Sequence, residues 1–163
     1  LADHEKACAE YGVAPDVVAY RSARADGLNG YCRWERGFRE GREGDTYHGV
    51  CTREQEEEFL PAYQDGQLVY AAEQALSNAR SSVASLGSRL EELDDKITAK
   101  QAEARAEGLT DEQRDAIRNR IQEIRRERAD TERDWRRAQR AIDDAERDVR
   151  DVRRRFQGQY GGW

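Results

Sequence analysis

Two runs of apolar residues, each advancing in steps of three and four, constrain this chain more than any other feature. The first is Val69, Ala72, Leu76, Ala79, Val83, Leu86, Leu90, Leu93, Ile97 and Ala104, with Lys100 filling one gap. The second is Ile117, Ile121, Ile124, Arg128, Thr131, Trp135, Ala138, Ile142, Ala145, Val149, Val152 and Phe156. This is the heptad period, which places each run on one stripe of a helix and calls for a second helix to cover it. Between the runs lies Glu107-Gly108-Leu109-Thr110-Asp111-Glu112-Gln113. Gly108 suits a helix C-cap, and Thr110 with Gln113 matches a capping box, each supplying partners to backbone groups orphaned at a helix end.

If the two helices fold back about that turn, the stripes pair at a constant sum of residue numbers. Val69 with Val149, Leu76 with Ile142, Val83 with Trp135 and Ile97 with Ile121 all add to 218, and Ala72 with Ala145, Ala79 with Ala138 and Leu93 with Ile124 add to 217. Residues 69–156 are therefore expected to form a long antiparallel coiled-coil helical hairpin with its tip near 108–110. Arms of that length at about 1.5 Å per residue make a rod of roughly 65 to 70 Å. Arg128 falls on the stripe opposite Leu90. Either it snorkels out of a two-helix seam toward Glu91, Glu92 or Asp94, or it marks where a third helix supplies a carboxylate.

Composition divides the chain at the same place. Residues 1–72 carry 8 Lys and Arg against 14 Asp and Glu, while the remaining 91 residues carry 20 of each. The first part also holds all three cysteines, both histidines, both prolines and eight of the 13 glycines. A net charge of -6 disfavours adhesion to nucleic acid or anionic lipid. No stretch approaches the roughly 20 apolar residues of a membrane span. The expected division is a short-helix, cysteine-bearing head over 1–68, the hairpin over 69–156, and a flexible tail over 157–163 whose Tyr160 and Trp163, with Arg128, are the candidate partner contacts.

In the head no single period holds. Ala7 to Tyr11 reads as helix, Gly12 to Asp16 as a turn and helix start, and Val17 to Ala25 as helix again before Gly27. An aromatic followed three residues later by a small residue recurs at Tyr20/Ala23, Phe38/Gly41 and Tyr63/Gly66, a spacing that lets helices cross closely. The head expected from this is all-α, Gly-rich and built of short helices.

Tyr31-Cys32, Gly37-Phe38, Gly41-Arg42, Gly44, Tyr47, Gly49-Val50-Cys51, Phe59-Leu60 and Tyr63 to Tyr70, with His4, Ala7-Cys8 and Gly12-Val13, carry a family likeness. Over roughly residues 1–72 the chain resembles the bacterial domain of unknown function 2799, whose members are mostly predicted envelope lipoproteins. Ala23 stands where that family usually has glycine, and Thr52 where proline is common. The resemblance implies export to the periplasm or outer membrane, and an anchor upstream of Leu1 as the only membrane attachment. It implies no activity.

Three cysteines without a Cys-x-x-Cys pair make a poor zinc signature, and Cys8, Cys32, Cys51 and His48 are the set that zinc would need. In an exported protein a Cys32–Cys51 disulfide is the expected staple, because the 18 residues it encloses are too rich in glycine and charge to hold themselves. His48 with Asp45, and Cys51 three residues on, are the nearest approach to acid/base and nucleophilic groups. Gly37-x-x-x-Gly41-x-x-Gly44 lacks the Gly-Lys-Ser/Thr of a phosphate loop. No cofactor and no enzymatic activity are expected.

Two readings of function remain. One is a structural or interaction protein of the bacterial envelope, using the hairpin as a spacer or docking arm for a protein partner or a second copy. The other is a head that binds a glycan or peptidoglycan fragment, with Tyr31, Trp34, Phe38, Tyr47, Glu43 and Asp45 forming an aromatic and acidic surface.

Overall fold

A computed structural model of the chain describes residues 2–14 and 16–161, with the side chains of residues 2–4 left aside. The described residues form five helices and no strand: α1 (Ala2–Ala9), α2 (Val17–Tyr31), α3 (Trp34–Glu43), α4 (Arg53–Ala104) and α5 (Asp111–Tyr160). Two compact units are built from them. One comprises Leu1–Tyr70 with Phe156–Trp163, the other Ala71–Arg155.

Helix boundaries follow the local chemistry. Asp16 caps α2, its side chain accepting from the Val18 and Ala19 N–H groups at 3.0 Å. Thr52 and Gln55 form a reciprocal capping box at the start of α4, with bonds of 3.0 and 3.4 Å. The box expected at Thr110 and Gln113 is formed as well, at 2.8 and 3.2 Å. Gly108 sits at φ +80°, where a side chain would be strained. The Arg114 guanidinium closes the same turn by donating to the Ala104 carbonyl at 2.8 Å.

Two expected helix boundaries are corrected. The first helix is Ala2–Ala9, where Ala7 to Tyr11 was expected. Helix α2 does not stop before Gly27 but runs through Gly27 and Gly30 to Tyr31, where Cys32 takes over as its C-cap; glycine weakens a helix interior by only about 1 kcal/mol and need not end it. Helix α4 runs unbroken across the 68/69 division expected between head and hairpin and contains Pro61 nine residues before Tyr70. The change in composition marks a change in what the helix packs against, not a break in the backbone.

In the second unit, every stripe position of α4 and α5 is buried or half-buried, Leu93, Ile117, Ile121, Ile124, Ala145 and Val149 most completely. Ion pairs tie the two helices on either side of the stripe: Glu73 with Arg153 at 3.1 Å, Arg80 with Glu146 at 3.0 Å, and Arg89 with Glu127. Gly87 faces Trp135. The seam arginine is accounted for within the chain. Arg128 donates to both carboxylate oxygens of Asp94, at 2.6 and 3.0 Å, and to Glu132 at 3.2 Å. It therefore snorkels to neighbours already present in the chain.

Candidate functional site

The head is organised by a close crossing of α3 and α4. A Cβ on Gly41 would lie 2.0 Å from the Tyr63 carbonyl oxygen, and one on Gly66 would lie 2.2 Å from the Phe38 carbonyl oxygen. Phe38-x-x-Gly41 and Tyr63-x-x-Gly66 are thus reciprocal: each glycine receives the backbone of the other helix's aromatic. Two of the three copies of the spacing noted in the sequence make this crossing, while Ala23 of the third is exposed.

Around the crossing, the aromatics fill the interior. Phe59 is fully buried, with Tyr47, Tyr31 and Tyr63 at ring-centroid distances of 4.7, 5.6 and 6.1 Å. Their hydroxyls hold the loop between α3 and α4. Tyr63 donates to the Asp45 carbonyl at 2.7 Å and accepts from the Tyr47 N–H at 3.3 Å. Tyr47 donates to Glu56 at 2.8 Å and accepts from the Cys51 N–H at 3.0 Å. Tyr31 donates to Glu40 at 3.3 Å, and Glu40, 7% exposed, is paired with Arg36 at 2.5 Å. Burial first, and then the adjacent carboxylates, push the Tyr31 and Tyr47 phenols above their ordinary range. Cys32 and Cys51 are disulfide-bonded with Cα atoms 5.7 Å apart, joining the end of α2 to the start of α4.

Residues 1–68 match the family described as Protein of unknown function (DUF2799). No curated protein and no solved structure matches the chain.

Within the matched residues, the six residues expected to form an aromatic and acidic surface do not come together as one. Phe38 is buried and Tyr31 and Tyr47 are half-buried with their hydroxyls engaged, because these rings are the core over which α3 and α4 cross. Trp34, Glu43 and Asp45 are exposed. The zinc set and the nucleophile are removed together, since the Cys32 and Cys51 sulfurs are bonded to each other and neither is a thiolate. Cys8 is the free cysteine, and among the described residues no group of His, Cys, Asp and Glu is arranged to hold a metal ion. Among the described residues no helix is long and apolar enough to cross a membrane.

The end of the chain departs from expectation too. Residues 157–160 continue α5 rather than forming a flexible tail, and Tyr160 packs inside the head unit. Its ring stacks on Phe38 at 4.1 Å and its hydroxyl donates to Asp65 at 2.7 Å. Burial, followed by the Asp65 carboxylate, raises its pKa strongly. A side chain so engaged is a poor free contact for a partner. Trp163, the other expected tail contact, lies outside the described residues.

An arginine row on α5 lies outside the residues expected from the sequence to carry function. Arg126, Arg133, Arg140, Arg147 and Arg154 recur every seventh residue and are exposed, and counting from the seam would have put them all on its far side. Asp130, Asp144 and Asp151, each three residues earlier, pair with Arg133, Arg147 and Arg154. The pattern breaks at Arg140, where the residue three earlier is Arg137. Arg133, Arg136, Arg137 and Arg140 consequently line a hollow of about 270 Å³. Arg140 has no ion pair among the described residues.

Proposed function

We propose that this is a non-enzymatic interaction protein of the bacterial envelope, in which α4 and α5 form an antiparallel hairpin that docks to or spaces a protein partner. The observation that carries the reading is the pattern of ion pairs between the two helices. Going up α4 through Glu73, Arg80 and Arg89, the partners go down α5 through Arg153, Glu146 and Glu127. Such falling order is what flanking positions of an antiparallel seam produce. Helices of 52 and 50 residues, at about 1.5 Å per residue, carry far more length than a two-helix seam needs to be stable. A partner surface along the exposed flanks gives that length a use.

Export is supported by the Cys32–Cys51 disulfide, a bond that persists outside the reducing cytoplasm, and by the family resemblance. The glycan-binding alternative has less to stand on, because most of its aromatics are engaged in the core. Two experiments test the proposal. In a Cys8→Ser background, cysteines at positions 76 and 142 should crosslink within one chain under mild oxidation; crosslinking only between copies would overturn the antiparallel pairing. Deleting residues 103–113 should leave the head folded and release proteins crosslinked to the native chain, whereas retention of every one would defeat the docking role.

A further inference from the structure

A groove in the head unit, beside Trp34 and Tyr160, has no part in the proposal above. It holds about 340 Å³ and is lined by Trp34 of α3, by Glu57, Glu58, Pro61 and Ala62 of α4, and by Gln159 and Tyr160 of α5. Its aromatic wall is held in place from behind. The Trp34 and Tyr160 rings lie 5.6 Å apart, and Tyr160 is fixed by Phe38 and Asp65. Trp34 nevertheless remains 38% exposed, so part of its indole is open to a ligand.

The polar side of the groove is acidic and unspent. Glu57 and Glu58 are exposed, and among the described residues neither has an ion pair or hydrogen bond from another side chain. Pro61 has no N–H, which leaves the Glu57 carbonyl one turn earlier without its helical donor. Two carboxylates beside electron-rich ring faces repel anions and attract a cation. A neutral sugar would leave both carboxylates without a charge partner. An ammonium would satisfy them but is compact and strongly hydrated. A guanidinium can stack on an indole while its fork of N–H groups engages carboxylates, and its three-carbon stem suits the apolar Pro61 and Ala62.

We propose that this groove is a docking site for an arginine side chain presented by a protein partner, with Trp34 as the stacking face and Glu57 and Glu58 as the charge partners. The site lies within the head and does not rest on how α4 and α5 pair, so either idea can fail without the other.

The test uses the full chain with isotope-labelled tryptophan, whose three indole N–H signals are assigned by single Trp→Phe variants. The probe is the peptide Gly-Gly-Arg-Gly-Gly, with Gly-Gly-Gln-Gly-Gly as the neutral control. The Trp34 signal should move saturably with the arginine peptide and not with the control. The Glu57→Gln/Glu58→Gln variant, which touches only exposed side chains, should bind about tenfold more weakly, and added salt should weaken binding to the native chain. Absence of a saturable shift, or equal binding by the double variant, overturns the site. Equal binding of free arginine amide and the peptide overturns the protein source and leaves a small-amine pocket.

Discussion

The two units of this molecule are held by different kinds of interaction. In the second unit an apolar stripe recurs every three and four residues, and ion pairs between exposed side chains flank it. In the head no period holds: the interior is a cluster of aromatic rings whose hydroxyls bind backbone and carboxylate groups, Gly37, Gly41 and Gly66 let helices touch backbone to backbone, and a disulfide closes the loop. The second unit spreads its stabilisation over many weak, interchangeable contacts. The head concentrates it in a few positions that admit no substitute. One helix, α4, experiences both regimes along its length.

The sharpest test of that contrast compares two glycines of α4. Gly66→Ala should destabilise the head by about 3 kcal/mol or prevent it from folding, because the new methyl meets the Phe38 carbonyl at 2.2 Å and neither backbone can yield. Gly87→Ala should instead stabilise the second unit by about 0.5 to 1 kcal/mol, since its Cβ meets nothing nearer than the Trp135 indole nitrogen at 3.8 Å. Chemical denaturation followed at head and second-unit reporters reads both changes. Similar effects at the two sites would mean that the units do not differ as described.

Reduction of the Cys32–Cys51 bond should cost the head about 3 kcal/mol, the value for closing a loop of this length, and leave the second unit unchanged. Differential unfolding of reduced and oxidised protein checks this. A loss shared equally by both units would show that they fold as one.

Alkaline pH should also act on the head. Tyr160 has a pKa raised in the folded state above its ordinary 10.0, so the folded chain keeps the phenolic proton after the unfolded chain has lost it. The stabilisation is fully present below pH 10 and is lost as pH rises through and beyond that value. Tyr31 and Tyr47 shift in the same direction. Phenolate absorbance should therefore show a group of tyrosines that ionise only with unfolding, and Tyr160→Phe should make the head's alkaline stability less steep. Titration of all seven tyrosines near their ordinary value would contradict the buried network.

The smallest effect belongs to the seam salt bridge. Arg128 holds the Asp94 carboxyl below its ordinary range through hydrogen bonds. Any stability this adds is present above the unfolded pKa and is lost as pH falls through the folded one. Asp94 is exposed and Arg128 only half-buried, so Asp94→Asn should move the second unit's unfolding midpoint by little, and salt should shrink even that. A large loss would show that this pair, not the apolar stripe, sets the pairing of α4 and α5.

Much of this was legible in the residues alone, where the governing interactions are local or repeat. The stripe positions in α4 and α5, the Gly108 turn with its Thr110 and Gln113 box, the Asp16 helix start and the Cys32–Cys51 staple all rest on neighbours in sequence or on a period that a helix enforces. The arginine row of α5 is legible in the same way, through the seam register, which puts every seventh residue from Arg126 on the face opposite the stripe. Other features depended on where distant segments arrive. Tyr160 hydrogen-bonds to a residue 95 positions earlier, and nothing in its glycine-spaced surroundings signals that it belongs to the head and not to a loose tail. Phe38, Tyr31 and Tyr47 carry the same residue types that a ligand surface would use; only the crossing of α3 on α4 turned them inward. The groove of Trp34, Glu57, Glu58 and Tyr160 is likewise drawn from three helices. Periodicity specifies which face of a helix is covered, but the position of a helix end in space is the sum of every turn before it, and that sum is decided only when the tertiary contacts form.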